Sequence, residues 1–170
     1  MRFAVAGVLA AAALNATAAG LSPTGNPSDY CSIGAEAGLP TRPFNSSTGT
    51  CASNYIDVGK ALGRGGMVNN LAFYSMSDVG QPNKLQRVSM ILNVNNPLES
   101  NASREVLVKA ASIVSKRILG TEPTGLAAAI RAGKNSAWTN KDWRTEVLYR
   151  DWPTGIGHDI SVRFIPVGTN

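Results

Sequence analysis

The amino-acid sequence implies one α+β domain: two layers, with an antiparallel sheet in the order β-β-α-α-β-β covered on one face by a long helix. Three patterns carry that expectation. Two pairs of segments alternate apolar and polar residues, and each pair is joined by a short stretch of turn formers. Between the pairs lies a long segment with apolar residues at helical spacing. Strands joined by short turns form antiparallel sheet, and an amphipathic helix covers one face of it.

The N-terminus is set aside first. Met1-Arg2 is basic, Phe3 to Leu14 is uncharged and apolar, and Ala16-Thr17-Ala18 places small residues at alternate positions. This is the order of a cleavable export signal. The run is shorter than the roughly 20 apolar residues that span a bilayer. Cleavage is expected after Ala18 or Ala19, leaving about 150 residues, enough for one domain with its own core. The chain therefore divides into a signal over 1–18, a Pro/Gly/Ser-rich segment over 19–52 and the α+β domain over 53–170.

The segment over 19–52 has no apolar period and is expected to be mobile. It holds Cys31 and Cys51, the only two cysteines in the chain. An exported chain meets oxidising conditions, so the pair is expected to form a disulfide. The stretch 53–63, SNYIDVGKALG, reads as a short helix capped by Ser53 or, because Gly59 weakens the helix, as a loop. GKALGRGG, over 59–66, has its lysine at the wrong end for a phosphate loop and reads as a flexible turn.

The first hairpin is expected over 70–77 and 86–94. Leu71 and Phe73 share a face in one strand, and Val88, Met90, Leu92 and Val94 do so in the other. Asn96-Pro97-Leu98-Glu99 then has the composition of a helix start. Val106, Ala110, Ile113, Val114 and Ile118 recur at helical spacing, with Leu107 and Ala111 beside them, and Gly120 supplies the stop. Residues 124–133 read as a second, short helix capped by Thr124, and 133–142 as a connection. The second hairpin is WRTEVLYR, with Trp143, Thr145, Val147 and Tyr149 on one face, against HDISVRFI, with Ile160, Val162 and Phe164 on one face.

Charge and composition narrow the function. Removing Arg2 from the 16 basic residues leaves a surplus of four over the 11 acidic ones. The basic residues are scattered rather than striped, so nucleic acid is not an expected partner. Insertion into a membrane after signal cleavage is not expected either. With a single histidine and both cysteines paired, neither a metal site nor any cofactor is expected.

The functional question falls on RDWPTGIGHD, Arg150 to Asp159, which joins the last two strands and holds the only histidine. As a turn, its Pro and Gly residues need no ligand, and His158 would open the last strand exposed or half-exposed. As a binding loop, it belongs to a group of aromatic residues: Trp138, Trp143 and Trp152 fall within 15 residues, with Tyr149, Lys141, Arg144 and Arg150 among them. Such residues anchor protein or carbohydrate partners.

The leading expectation is an exported, non-catalytic protein, periplasmic or secreted, that binds a protein or envelope component through Trp152, Trp143, Trp138, Tyr149 and Arg150. Two alternatives remain. One is a small secreted hydrolase using His158 with Asp151, or a carboxylate pair such as Glu146 and Asp159. The other is an interbacterial inhibitor or effector.

Overall fold

The computed structural model describes residues 20–140 and 142–168. The signal over 1–18 and Lys141 lie outside the described residues. A 3-10 turn over Pro27–Tyr30 runs into helix α1, Cys31–Glu36. Strands β1, Thr50–Ala52, β2, Ile56–Val58, β3, Asn69–Asp78, and β4, Gln81–Val94, follow. Helices α2, Ser100–Leu119, and α3, Leu126–Ala132, lead to β5, Ser136–Thr139, β6, Trp143–Asp151, and β7, His158–Pro166.

The seven strands form one antiparallel sheet ordered β1-β3-β4-β7-β6-β5, with β2 lying beside β1 along the same edge of β3. The two expected hairpins are β3–β4 and β6–β7, and Val88↔Phe164 through Val94↔His158 join them into one sheet. Phe73, Met90, Val162 and Phe164 project from the covered face into the core, where they meet α2 and its neighbours. The α+β expectation, an antiparallel sheet with a long helix packed on it, holds.

Helix α2 forms for the local reasons read in the sequence. The Asn96 side chain accepts from Leu98 N at 3.1 Å and Pro97 opens a 3-10 turn, Pro97–Glu99, that runs directly into α2, which has no side-chain cap of its own; Gly120 closes the helix at φ 76°. The buried stripe is rotated from the expected one. Leu107, Ala111, Val114 and Ile118 are fully buried, whereas Ile113 is 38% exposed. The difference comes from hydroxyls. Ser103 and Ser115 lie on the buried stripe because each has a hydrogen-bond partner there, so polarity was a misleading guide to orientation.

The N-terminal segment differs more. Tyr30, Ile33 and Leu39 are among the largest fully buried side chains. The segment is therefore a built part of the core rather than a mobile tail. Cys31 and Cys51 are bonded, with Cα atoms 6.0 Å apart and 20 residues of separation, tying α1 to β1. Closing such a loop restricts the unfolded chain by about 3 kcal/mol.

Three short elements also depart from expectation. Residues 53–63 contain β2 and a loop rather than a helix. The connection over 133–142 contains β5, which pairs with β6 through Trp138↔Thr145. Thr124 is not the cap of α3; Gly125 precedes the first turn, and no side chain caps it. Strands of three or four residues carry too few alternations to leave a pattern.

Candidate functional site

Trp152 to Gly157 is a closed turn: Gly155 N donates to Trp152 O at 2.9 Å, and Trp152 N donates to Gly157 O at 3.3 Å. Gly157 sits at φ 93° with Val94 O only 2.4 Å from where a Cβ would lie. The Trp152 ring leans on this bare glycine. Its Nε1 donates to Asp159 Oδ2 at 3.3 Å, and Arg150 holds the same carboxylate through Nε at 2.9 Å and Nη2 at 2.8 Å. Trp152 is thus fixed beside Asp159 at one end of the sheet face that no helix covers.

A second loop faces it. Residues 59–68 connect β2 to β3, and the β4–α2 junction grips both ends of this loop. Asn96 Nδ2 donates to Lys60 O at 2.9 Å, and Asn95 Nδ2 donates to Val68 O at 2.7 Å. The two loops enclose an open groove of about 380 Å³, walled by Leu62, Met67, Asn95, Trp152 and Ile156. Met67 is 70% exposed, Ile156 65% and Leu62 42%. A cleft of about 430 Å³ beside the disulfide loop is slightly larger but lined mostly by polar turn residues such as Arg42, Asn45 and Thr50.

The other aromatic residues named from sequence do not join this site. Trp143 is buried, packs edge-on against Tyr30 with centroids 6.0 Å apart, and donates from Nε1 to Leu21 O at 3.3 Å. Trp138 is half-buried and shares a separate cleft of about 210 Å³ with Trp143 and Pro123. Strand β6 places Trp143 and Trp152 about 30 Å apart. Their closeness in sequence is undone by an extended strand, which sends neighbours to opposite ends and faces. Tyr149 lies on the helix side with His158. Of the five residues, Trp152 and Arg150 are brought together.

His158 is buried rather than exposed. Its register puts it on the core face of β7, under the first half of α2. Arg104 Nη2 lies 3.3 Å from His158 Nε2, and the Tyr149 ring is tilted over the imidazole at 4.7 Å. A guanidinium only donates, so Nε2 accepts and the proton of the neutral ring sits on Nδ1. Burial, then the Arg104 charge, lowers the His158 pKa below the ordinary histidine value, against smaller opposing effects of Asp151 and Asp159. Asp151 pairs with His158 across the strands, but its carboxylate accepts the Tyr149 hydroxyl at 2.7 Å. The lone pair that a general base would use is occupied by Arg104. Among the described residues, no hydroxyl is hydrogen-bonded to the ring.

The carboxylate pair is likewise held apart. Glu146 stands opposite Arg163, and Asp159 lies four residues back along β7, which sets their backbones about 13 Å apart along the strand. Each acid is also bonded to an arginine, Glu146 to Arg144 at 2.8 Å and Asp159 to Arg150. Among the described residues, no group of three His, Cys, Asp or Glu side chains gathers in a way that could hold a metal ion, and no helix is long and apolar enough to cross a membrane.

The His158 environment gives a pH prediction. A histidine whose folded pKa lies below its unfolded value binds fewer protons when folded. Its contribution is complete above the unfolded value near 6.5 and is lost as pH falls from there toward the folded pKa. Urea midpoints should therefore drop between about pH 7 and pH 5, and His158→Gln, which keeps an acceptor for Arg104, should flatten that drop. An equal drop in both proteins would assign it to other groups.

No known protein family, curated protein or solved structure matches this chain. Leu62, Met67 and Ile156 could not be joined into one site from the sequence because each stands among turn formers with no apolar period around it. That isolation was itself the available signal: a loop with no apolar period has nothing of its own to bury them against.

Proposed function

We propose that the protein acts by binding a partner protein outside the cytosol, through the groove between Trp152 and the 59–68 loop. One observation carries the reading. Leu62, Met67 and Ile156 are exposed side by side around a fixed tryptophan, on loops whose backbones are already anchored. Large apolar side chains held at the surface are costly to solvate, and burying one fully is worth about 1.5–3 kcal/mol. A tryptophan in a pre-ordered pocket with an apolar surround has the composition of a protein-binding hot spot. The basic-apolar-small N-terminus and the disulfide support an exported location.

Ile156→Asp and Met67→Asp test this, because both side chains point mainly into solvent. Each should weaken capture of a partner from the extracytoplasmic fraction at least about tenfold, while melting midpoints stay within about 2 °C. Capture of the same protein, in the same amount, by wild type and both variants would end the proposal.

A further inference from the structure

The groove opens onto the uncovered face of the sheet, and that face carries an uncompensated charge. Arg87 of β4 is paired with Met76 of β3, and Arg163 of β7 stands between Ser89 and Glu146. The two arginines thus lie on neighbouring strands and on the same face, at diagonal positions. Arg144 and Arg150 on this face are bonded to Glu146 and Asp159. Arg87 and Arg163 have no such partner among the described residues. Arg87 Nε is moreover buried without a hydrogen-bond partner. Burial, then the neighbouring Arg163 charge, lowers the Arg87 pKa from its ordinary value. Two like charges kept together, one with an orphaned donor, are unfavourable in the free protein. An acceptor bearing negative charge would relieve both.

We propose that Arg87 and Arg163 form a receiving site for the carboxylates of an acidic protein whose apolar anchor sits in the Trp152 groove. The inference rests on the groove for the partner being a protein, and deepens that reading by assigning the partner's charge. The two zones are continuous. From Asp159, which Trp152 touches, Arg163 lies about 13 Å along β7 and the Arg87 row about 20 Å, within the span of an ordinary protein interface. Guanidinium groups bind carboxylates in forked, charge-assisted geometry. On the same face Glu146 and Asp159 already neutralise Arg144 and Arg150, so only Arg87 and Arg163 remain to be matched. The face therefore fits a surface that places a few carboxylates opposite Arg87 and Arg163 rather than a nucleic acid.

The probe is a hexaglutamate peptide, titrated into the isotopically labelled full domain at low ionic strength, with inorganic phosphate as the comparison. The Arg87 and Arg163 Nε–Hε signals should shift, and binding should weaken about tenfold between about 20 and 200 mM salt. Arg87→Gln and Arg163→Gln should each weaken it about fivefold, with unchanged amide spectra elsewhere. Ile156→Asp should leave this probe unaffected, so failure of the groove and failure of the arginine pair remain distinguishable. Absence of shifts, shifts that survive Arg163→Gln, or phosphate acting as strongly as the peptide would each overturn the assignment.

Discussion

Asn69→Ala is expected to destabilise the protein by about 3–5 kcal/mol, although it removes only a small amide. Asn69 is fully buried at the start of β3. Its Nδ2 donates to Asn96 O at 3.1 Å and to Ser103 Oγ at 2.8 Å, and its Oδ1 accepts from Asn96 N at 2.6 Å. One side chain thus satisfies the backbone where β4 turns into α2 and a hydroxyl buried under that helix. Truncation strands several buried polar groups at once, each costing about 1–3 kcal/mol. For a domain of this size, a melting midpoint lower by about 10 °C follows. Because Asn96 also grips Lys60 O, the groove loop should loosen too, visible as faster amide exchange over 59–68. A loss below about 1 kcal/mol would mean that these partners are satisfied without Asn69.

Gly157→Ala should be comparably severe, at about 3–4 kcal/mol. The residue holds φ 93°, which an L side chain adopts poorly, and the added Cβ would meet Val94 O at 2.4 Å and the Trp152 ring at 2.9 Å. The carbonyl belongs to a central strand and cannot yield easily. Gly155→Ala is the internal control. It has φ 69° with nothing within 4 Å, so it should cost only about 1 kcal/mol. Chemical denaturation of the pair separates dihedral strain from steric collision. Equal losses would show that the approach to Val94 contributes nothing.

These two positions show what the sequence made visible and what it hid. Gly157 stands in a stretch whose turn character was legible from its Pro and Gly residues. Its collision with β4 was not, because β4 lies more than sixty residues away and adjoins β7 only in the folded sheet. Asn69 lies just before the strand expected over 70–77, and only the fold brings Asn96 and Ser103 to it. Helix α2, both hairpins and the disulfide could be read because each follows from a local period or a forced pairing. Tyr30, Ile33 and Leu39 could not, since their burial depends on a helix layer that the segment does not encode alone. Three tryptophans close in sequence suggested one surface, and the length of β6 carries Trp152 away from Trp138 and Trp143. The candidate groove instead unites residues 62, 67, 152 and 156, which no window of sequence contains.

The position of β7 has a kinetic consequence. It is the final strand in chain order, yet it lies between β4 and β6 in the middle of the sheet. Nothing made before it can join β5 and β6 to the β3–β4 hairpin, so a nascent chain emerging from its N-terminus must wait with both apolar surfaces open. Closure then depends on contacts between distant parts of the polypeptide, which form slowly. A chain built this way stays pliable until β7 arrives, and is exposed to proteases and aggregation for that interval.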